Sequence, residues 1–278
     1  MSVVVDYDPA PHYDRITEAW GLLLGPELHY GVFDSGTEPL ETATAALTQR
    51  MIEVARLAPG FRVLDVGCGS GAPACQLVEQ HRVEVLGITT SQVGVDSATD
   101  RARSRGLQGA TFEVHDGTDN GLPDESFDRV WVLESSHLMP DREALISECA
   151  RVLRPGGRLA LCDIIRRREI PFLELKEKRS DFAVLRSAFG AARMDPLYEY
   201  VDHAAKAGLD PDHAEDLTAA TRPTFARWQA NLDRHRDRVR RLLDEQSVHD
   251  FEESLRILDG FWGDGTLGYG IMSARKPD

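Results

Sequence analysis

The sequence is short of cationic side chains and contains no long apolar run. Its 278 residues include 32 Lys and Arg against 46 Asp and Glu, which gives a formal net charge of -14. Binding to nucleic-acid phosphates needs a clustered positive field, so this deficit argues against nucleic acid as the main partner. No apolar stretch approaches the roughly 18 residues that a membrane-spanning helix requires, and we therefore expect no membrane partner.

Cysteine is scarce as well, and its spacing argues against a metal site. The four cysteines are Cys68, Cys75, Cys149 and Cys162, with no CxxC pair and no accompanying His cluster. We therefore predict reduced thiols and no bound metal. Residues 1–11 contain no basic region followed by an apolar core, so no secretory signal is expected and the protein is predicted to be cytoplasmic.

Short apolar runs alternate with amphipathic stretches from residue 61 onward, which is the pattern of βαβ units and a parallel sheet. Strands are predicted at Phe61–Val66, Val83–Ile88, Thr111–Val114, Phe127–Leu133 and Arg158–Ile165. Helices are predicted near 71–80, 91–105 and 141–153. An Arg-Pro-Gly-Gly turn at 154–157 is expected to separate the last of these helices from the fifth strand.

The βαβ rhythm stops at residues 166–208, which carry several aromatic residues on helical-looking segments. Beyond them we expect a strand near 209–218, helices near 222–245 and 249–259, and a final strand at Gly268–Ala274. The predicted fold is therefore α/β: a Rossmann-like sheet of seven strands, with helices on both faces and a helical insertion after the fifth strand.

The strongest local signal is a glycine-rich turn that follows the first predicted strand, at Val63–Gly71. Glycine lets the backbone turn sharply and approach a ligand, and the next helix offers free N–H groups to an anionic group. With Ala72 the loop also satisfies the dinucleotide fingerprint, so an NAD-dependent oxidoreductase is an alternative. That alternative needs an acid at the end of the next strand, but residues 87–92 contain none, and it leaves Asp65 unexplained.

Four motifs in order resemble those of the class I S-adenosylmethionine-dependent methyltransferases, over about residues 60–165. They are the glycine loop Leu64–Gly71, Asp116 after the third strand, the run Leu122–Asp128 into the fourth strand, and the turn Arg151–Gly157 before the fifth. The resemblance implies an enzyme that transfers a methyl group from S-adenosylmethionine, on the family's seven-stranded sheet.

A narrower resemblance, to the small-molecule branch of these methyltransferases, extends over nearly the whole chain. It rests on Leu28–Gly31, Gly87–Thr89 and Glu134–Asp141. The branch includes the rebeccamycin sugar O-methyltransferase and the sterol and terpene C-methyltransferases, and in it hydroxyl and amide side chains commonly replace the ribose-binding acid. The cofactor contacts that the resemblance implies come from Tyr30, Asp65, Gly67, Gly69, Gly71, Thr89, Gln92, Asp116, Gly117 and Glu134.

The predicted chemistry centres on His137, which follows the fourth strand at the sheet edge where open α/β folds bind ligands. A hydroxyl acceptor must lose its proton on methylation, which suits a His general base. Asp163 ends the fifth strand, and the resemblance to the rebeccamycin-like enzymes implies that it pairs with His137. Those enzymes carry a second consecutive His, whereas this chain has Leu138. Glu134 is a third candidate, either as a proton acceptor or as a cofactor contact.

We interpret residues 1–58 as an N-terminal helical segment over the cofactor, 59–165 and 209–278 as the methyltransferase core, and 166–208 as a helical lid over the acceptor.

The predicted reaction is O-methylation of a small hydrophobic secondary metabolite. The alternative is C-methylation of an alkene or indole carbon, with or without cyclisation of the resulting cation. The sequence leaves open whether the chain forms a homo-oligomer. About three of the following rings are expected in the acceptor pocket: Phe172, Phe182, Phe189, Tyr198, Tyr200, Phe225, Trp228, Phe261 and Trp262.

Overall fold

One seven-stranded sheet forms the centre of the protein in the computed structural model, which describes residues 18–278. Its strands are β1 (Arg62–Val66), β2 (Glu84–Thr89), β3 (Ala110–Val114), β4 (Phe127–Leu133), β5 (Leu153–Arg166), β6 (Asp210–Asp216) and β7 (Leu267–Arg275). Their order is β3-β2-β1-β4-β5-β7-β6, and β7 alone runs antiparallel to its neighbours. The predicted seven-stranded α/β fold is confirmed.

Apolar side chains on the two faces of the sheet form two separate cores, because successive residues of a strand point to opposite faces. Trp131 and Cys162 belong to one core, whereas their neighbours Val132 and Leu161 belong to the other. Helices cover these cores. They are α1 (Leu40–Ala55), α2 (Ala72–His81), α3 (Gln92–Ser104), α4 (Arg142–Val152), α5 (Phe172–Glu177), α6 (Arg179–Phe189), α7 (Leu197–Lys206), α8 (Thr218–Thr221), α9 (Thr224–Leu242) and α10 (Glu245–Gly263), with a helical turn at 18–23 and a 3₁₀ turn at Ser136–Leu138.

The fifth strand begins earlier than the sequence pattern indicates. Leu153 pairs with Phe127 at the start of β4, five residues before the expected first strand residue. The Gly156 N–H donates to the Lys276 carbonyl at 3.0 Å, and the Lys276 N–H donates to the Gly157 carbonyl at 2.9 Å. These backbone hydrogen bonds keep the expected turn inside the sheet. The last helix, α10, also begins earlier than expected, because the Asp244 side chain accepts the Ser247 N–H at its start (2.7 Å).

Helices from two segments of the chain pack together: one segment is the predicted insertion after β5 and the other lies between β6 and β7. The first insertion contributes α6, and the segment between β6 and β7 contributes α9 and α10, with α10 packed against both α6 and α9. Helix α7, which lies within the predicted lid, packs instead against α4, β6 and β7. The predicted boundary at residue 208 therefore includes a helix that covers the sheet, not the cavity.

The N-terminal segment before α1 is tied to the rest of the protein by hydrogen bonds. The His29 ring lies 3.3 Å from the Thr48 hydroxyl on α1. The Gly31 N–H donates to the Thr224 hydroxyl at the start of α9 (3.1 Å), and the Val32 N–H donates to the Ala43 carbonyl (2.9 Å). The predicted absence of a secretory signal concerns residues 1–11, which lie outside the described residues.

The four cysteines are all buried and carry no disulfide. Within residues 18–278, no helix is long and apolar enough to cross a membrane.

Candidate active site

A cavity of about 890 Å³ opens at the carboxyl ends of the parallel strands. Its wall includes Asp65 and Gly67 from the end of β1, residues 88–91 from the end of β2, and residues 133–135 from the end of β4. The strand order reverses between β1 and β4, which is where open α/β sheets bind their ligands. The volume lies in the upper part of the range of about 300–1,000 Å³ for small-molecule sites, so it has room for a cofactor and an acceptor.

The three predicted loop glycines differ in their surroundings. A Cβ on Gly67, whose φ is +78°, would lie 2.2 Å from the Ser135 Cβ, so no side chain fits there. Gly69 lines the cavity, and a Cβ added to it would meet no atom within 4 Å. Gly71 is not on the cavity wall, and its Cβ would lie 2.6 Å from Ala98 on α3. Gly69 therefore leaves open space beside the backbone, whereas Gly71 serves the turn into α2.

Asp65 is a buried carboxylate with an unsatisfied oxygen. Its side chain lines the cavity but is only 3% exposed, and its Oδ2 has no hydrogen-bond partner among the described residues. Burial raises the pKa of Asp65 to about 7. Because an unpaired buried carboxylate is costly, this oxygen is suited to accept a hydrogen bond from a ligand.

S-adenosylmethionine, the cofactor that the sequence resemblance implies, fits the cavity wall by charge. It carries an ammonium and a sulfonium against one carboxylate, and its ammonium group can donate to the unpaired Asp65 oxygen. Among the described residues of the wall, Arg186 is the only Arg or Lys. The carboxyl groups of the wall belong to Glu27, Asp65, Asp116, Glu134 and Asp141.

Most of the remaining predicted cofactor residues also lie on the cavity wall. They are Tyr30, Thr89, Asp116 and Gly117. The Asp116 side chain is held by Thr118, whose N–H and hydroxyl both donate to its Oδ1 at 2.8 Å. Gln92 is not on the wall, because its amide donates to Asp96 one turn further along α3 (2.9 Å). The structure thus places every predicted cofactor residue on the wall except Gly71 and Gln92.

Cofactor affinity is expected to fall as the pH is lowered through 7. Burial raises the pKa of Asp65 from 3.8 to about 7 in the ligand-free protein, so below that pH the carboxyl group is protonated and cannot pair with an ammonium group. We expect the Kd for S-adenosylmethionine, measured by titration calorimetry, to be about tenfold higher at pH 6 than at pH 8.

The isosteric variant Asp65→Asn provides the control for this dependence. Its Kd should be high at both pH values, because an amide neither ionises in this range nor pairs with a cation. Asp65→Asn binding as tightly as the unmodified protein, with the same pH dependence, would show that another group contacts the ammonium.

His137 and Asp163 form a buried pair where β4 ends. His137 lies in the 3₁₀ turn after β4. Asp163 does not end the fifth strand as predicted, because β5 continues to Arg166 in its pairing with β7, and Asp163 follows the last β5 residue paired with β4. The His137 Nδ1 lies 2.7 Å from Asp163 Oδ1, and the His137 backbone N–H donates to Asp163 Oδ2 at 2.9 Å. Asp163 also accepts the Ile164 N–H at 2.7 Å and the Ser136 hydroxyl at 2.5 Å. Burial alone would raise the pKa of Asp163. The contacts of His137 and the Ser136 hydroxyl, together with the Arg142 charge, outweigh burial and hold the pKa below its ordinary value. His137 lines the cavity and Asp163 does not, so the carboxylate lies behind the imidazole.

Glu134 lies on the cavity wall directly after β4, with a left-handed backbone (φ 49°). Its Oε1 accepts the Tyr30 backbone N–H at 2.8 Å and the Tyr269 hydroxyl at 2.6 Å. Burial raises the pKa of Glu134 to about 8, although both donors act in the opposite direction. Glu134 thereby connects the N-terminal segment to β7.

Three of the nine aromatic rings considered for the acceptor pocket line the cavity, namely Phe182, Phe189 and Trp228. Phe172 and Tyr198 are instead 79% and 61% exposed. The other four rings are buried away from the cavity wall: Tyr200, Phe225, Phe261 and Trp262.

Several residues of the wall were not identified from the sequence. They include Trp20 and Leu24 near the start of the described chain, Arg186 and Met194 in the first insertion, and Leu258 on α10. Apolar periodicity predicts which face of α10 is buried, but core-facing and cavity-facing positions share the same pattern.

Known proteins resemble this chain over almost its whole length. The model of the family described as mycolic acid cyclopropane synthetase matches residues 7–266. The 27-O-demethylrifamycin SV methyltransferase of Amycolatopsis mediterranei (strain S699) is 38% identical over 267 residues, which cover 96% of both chains.

Solved structures agree with this relationship. The mycolic acid cyclopropane synthase CmaA1, complexed with SAH and CTAB, superposes with a TM-score of 0.84 at 20% identity over 96% of both chains. The cyclase SpnF superposes with a TM-score of 0.81 at 28% identity, over 96% of this chain and 94% of that one. These relationships leave no support for the NAD-dependent alternative. The chain belongs to the mycolic acid cyclopropane synthetase family and is an S-adenosylmethionine-dependent methyltransferase.

Proposed function

We propose that the enzyme methylates a hydroxyl oxygen of a small, hydrophobic natural product, with His137 as the general base. The observation that carries the proposal is the pairing of His137 with the buried Asp163 at the cavity wall, at 2.7 Å between Nδ1 and Oδ1. The relative from Amycolatopsis, named for a 27-O-demethyl substrate, supports oxygen as the acceptor atom and a natural product as the acceptor.

The proton positions follow from the hydrogen-bonding capacity of the two side chains. An ionised carboxylate can only accept, so neutral His137 carries its proton on Nδ1 and its lone pair on Nε2. Nε2 makes no hydrogen bond to the described residues and is therefore available to the acceptor hydroxyl. When bound, S-adenosylmethionine supplies an electrophilic methyl group on a sulfonium. His137 takes the hydroxyl proton as the oxygen is methylated, and Asp163 stabilises the imidazolium that forms.

The rest of the wall suits an apolar acceptor. Phe182, Leu185 and Phe189 from α6 face the cavity together with Trp228 from α9 and Leu258 from α10. Such a surface binds a bulky apolar molecule and excludes water from the reacting groups. We propose that α6, α9 and α10 together act as the lid over the acceptor, and that the described part of the N-terminal segment, residues 18–58, covers the cofactor.

C-methylation with or without cyclisation is the second candidate. The aromatic rings on the wall can stabilise a carbocation, and the structural likeness to the cyclase SpnF favours this candidate. In that case, substitution of Phe182 or Trp228 should reduce turnover more than substitution of His137 does.

The two candidates differ in the atom that receives the methyl group. The enzyme can be incubated with S-adenosylmethionine carrying a ¹³C-labelled methyl group and with extracts of the producing organism, and the labelled product examined by NMR. We expect a labelled methyl carbon bonded to oxygen. A labelled carbon bonded to carbon would contradict O-methylation and support the second candidate.

A further inference from the structure

A buried chain of hydroxyl groups leads from the His137–Asp163 pair to an arginine. The Ser136 hydroxyl donates to Asp163 Oδ2 at 2.5 Å and lies 3.1 Å from the Tyr200 hydroxyl. The Arg142 Nε donates to the same Tyr200 hydroxyl at 3.1 Å. Ser136 and Tyr200 are fully buried and Arg142 is 3% exposed, so this chain is shielded from bulk water.

The hydrogen bonds of this chain run in one direction. A guanidinium donates without accepting, and an ionised carboxylate accepts without donating. Since Arg142 donates to Tyr200, the Tyr200 proton is directed to Ser136 and the Ser136 proton to Asp163. Successive bonds polarise one another, so the whole chain favours the anionic form of Asp163.

Asp163 needs such support before the reaction, because His137 is neutral while it waits for the acceptor proton. An arginine remains charged throughout the reaction. Burial raises the pKa of Asp163, and the Arg142 charge helps His137 and Ser136 to lower it, with a smaller effect than theirs. Arg142 is thus a permanent counter-charge for a fully buried carboxylate. The other titratable groups that interact with Asp163 are Tyr30 from the N-terminal segment, Glu134 after β4, Cys162 on β5 and Tyr200 on α7.

Arg142 also contacts a segment of the acceptor wall. Its guanidinium donates to the Arg193 carbonyl and lies 3.4 Å from the Asp195 carboxylate. The Arg193 N–H in turn donates to the His137 carbonyl at 2.8 Å. Residues 190–192 and Met194 line the cavity. The same arginine therefore holds both the wall segment and the support of Asp163.

We propose that Arg142 is a positioning residue for methyl transfer. It acts through Tyr200 and Ser136 to keep Asp163 ionised, and thereby keeps His137 oriented. It also holds residues 190–195 of the acceptor wall against the His137–Asp163 pair. The inference rests on the proposed role of His137 as the base. Neither Arg142 nor Tyr200 is proposed to contact the substrate.

Tyr200→Phe tests the hydroxyl chain, because it removes one oxygen and keeps the buried ring. We expect kcat to fall about three- to tenfold, the effect of one lost hydrogen bond, with an unchanged Kd for S-adenosylmethionine. Tyr198→Phe is the matched control, since Tyr198 is 61% exposed on the same helix and should behave like the unmodified enzyme.

Removal of the arginine charge tests the electrostatic part. The double variant Arg142→Met/Asp195→Asn avoids leaving the Asp195 carboxylate buried without its cation, and Arg142→Lys preserves the charge. NMR of ¹⁵N-labelled imidazole follows the titration of His137 directly. Compared with the Asp195→Asn single variant, the double variant lacks only the positive charge. The pair should then bind protons more tightly, so the His137 midpoint should be about one pH unit higher. It should stay close to that of the unmodified enzyme in Arg142→Lys.

These outcomes separate the inference from the proposed function. A role confined to packing would lower the melting temperature without moving the His137 midpoint. An unmoved midpoint in the double variant, or unmodified turnover in Tyr200→Phe, would overturn the inference. Unchanged turnover in His137→Ala would overturn the proposed base instead, because the NMR midpoint reports the pair whether or not His137 acts in catalysis.

Discussion

Replacement of His137 with Ala is expected to lower kcat by about three orders of magnitude, the central value for loss of a general base. The imidazole lies on the cavity wall with Nδ1 held by Asp163 at 2.7 Å, so its removal takes away the base that the buried carboxylate orients. The Kd for S-adenosylmethionine should change by no more than about twofold, since His137 is not among the residues predicted to contact the cofactor. Single-turnover rates and calorimetry measure the two effects separately.

Two further variants control for loss of structure. His137→Gln keeps a polar side chain that cannot act as a base at neutral pH, and it should be as inactive as His137→Ala. His249→Ala changes an exposed His on α10 and should have no effect. If His137→Ala retained turnover within a few-fold, another group would have to accept the proton.

Asp163→Asn is expected to lower kcat by about two to four orders of magnitude, because it disturbs the tautomer on which the base depends. Each Asp163 oxygen accepts one backbone N–H, from Ile164 at Oδ1 and from His137 at Oδ2. In either orientation the amide of Asn therefore places an NH₂ group against a backbone N–H. If the NH₂ group faces the ring, the His137 Nδ1 must accept and the proton moves to Nε2, where it blocks the base.

The same clash should also lower the free energy of unfolding by about 1–3 kcal/mol, the cost of leaving a buried donor unsatisfied. Thermal denaturation gives the stability change, and turnover is then measured well below the melting temperature. Asp202→Asn, on α7, supplies a control substitution of the same type. A variant that loses stability but keeps nearly full turnover would reduce Asp163 to a structural residue.

The parts of the site that depend on a single turn or on the pairing of neighbouring strands could be predicted from the sequence. Asp65, Gly67 and Gly69 belong to one turn whose residue types are imposed by the sharp change in backbone direction. His137 follows β4 and Asp163 lies within the neighbouring β5, so the parallel pairing of these strands brings them together. Gln92 does not line the cavity, and its amide donates instead to Asp96, four residues further along α3.

The parts that depend on long-range packing could not be predicted. Arg142 stands in the first turn of α4, next to the capping Asp141, where a charged side chain is expected to face solvent. It is buried because α7 packs against α4, which places Tyr200 beside it. The contribution of α9 and α10 to the cavity also depends on long-range packing. The sequence shows that these helices have apolar faces, but not which neighbouring element each face packs against.

The pH dependence of the single-turnover rate tests the central claim most directly. At saturating S-adenosylmethionine, which removes the effect of Asp65 on cofactor binding, the rate of the unmodified enzyme should fall on the acid side with the protonation of one group if neutral His137 accepts the proton. That limb levels off above the midpoint of the group. The midpoint and plateau should be absent from His137→Ala, whose low residual rate would instead rise about tenfold per pH unit with the hydroxide concentration. An acid limb that persists unchanged in His137→Ala would contradict the assignment of His137 as the base.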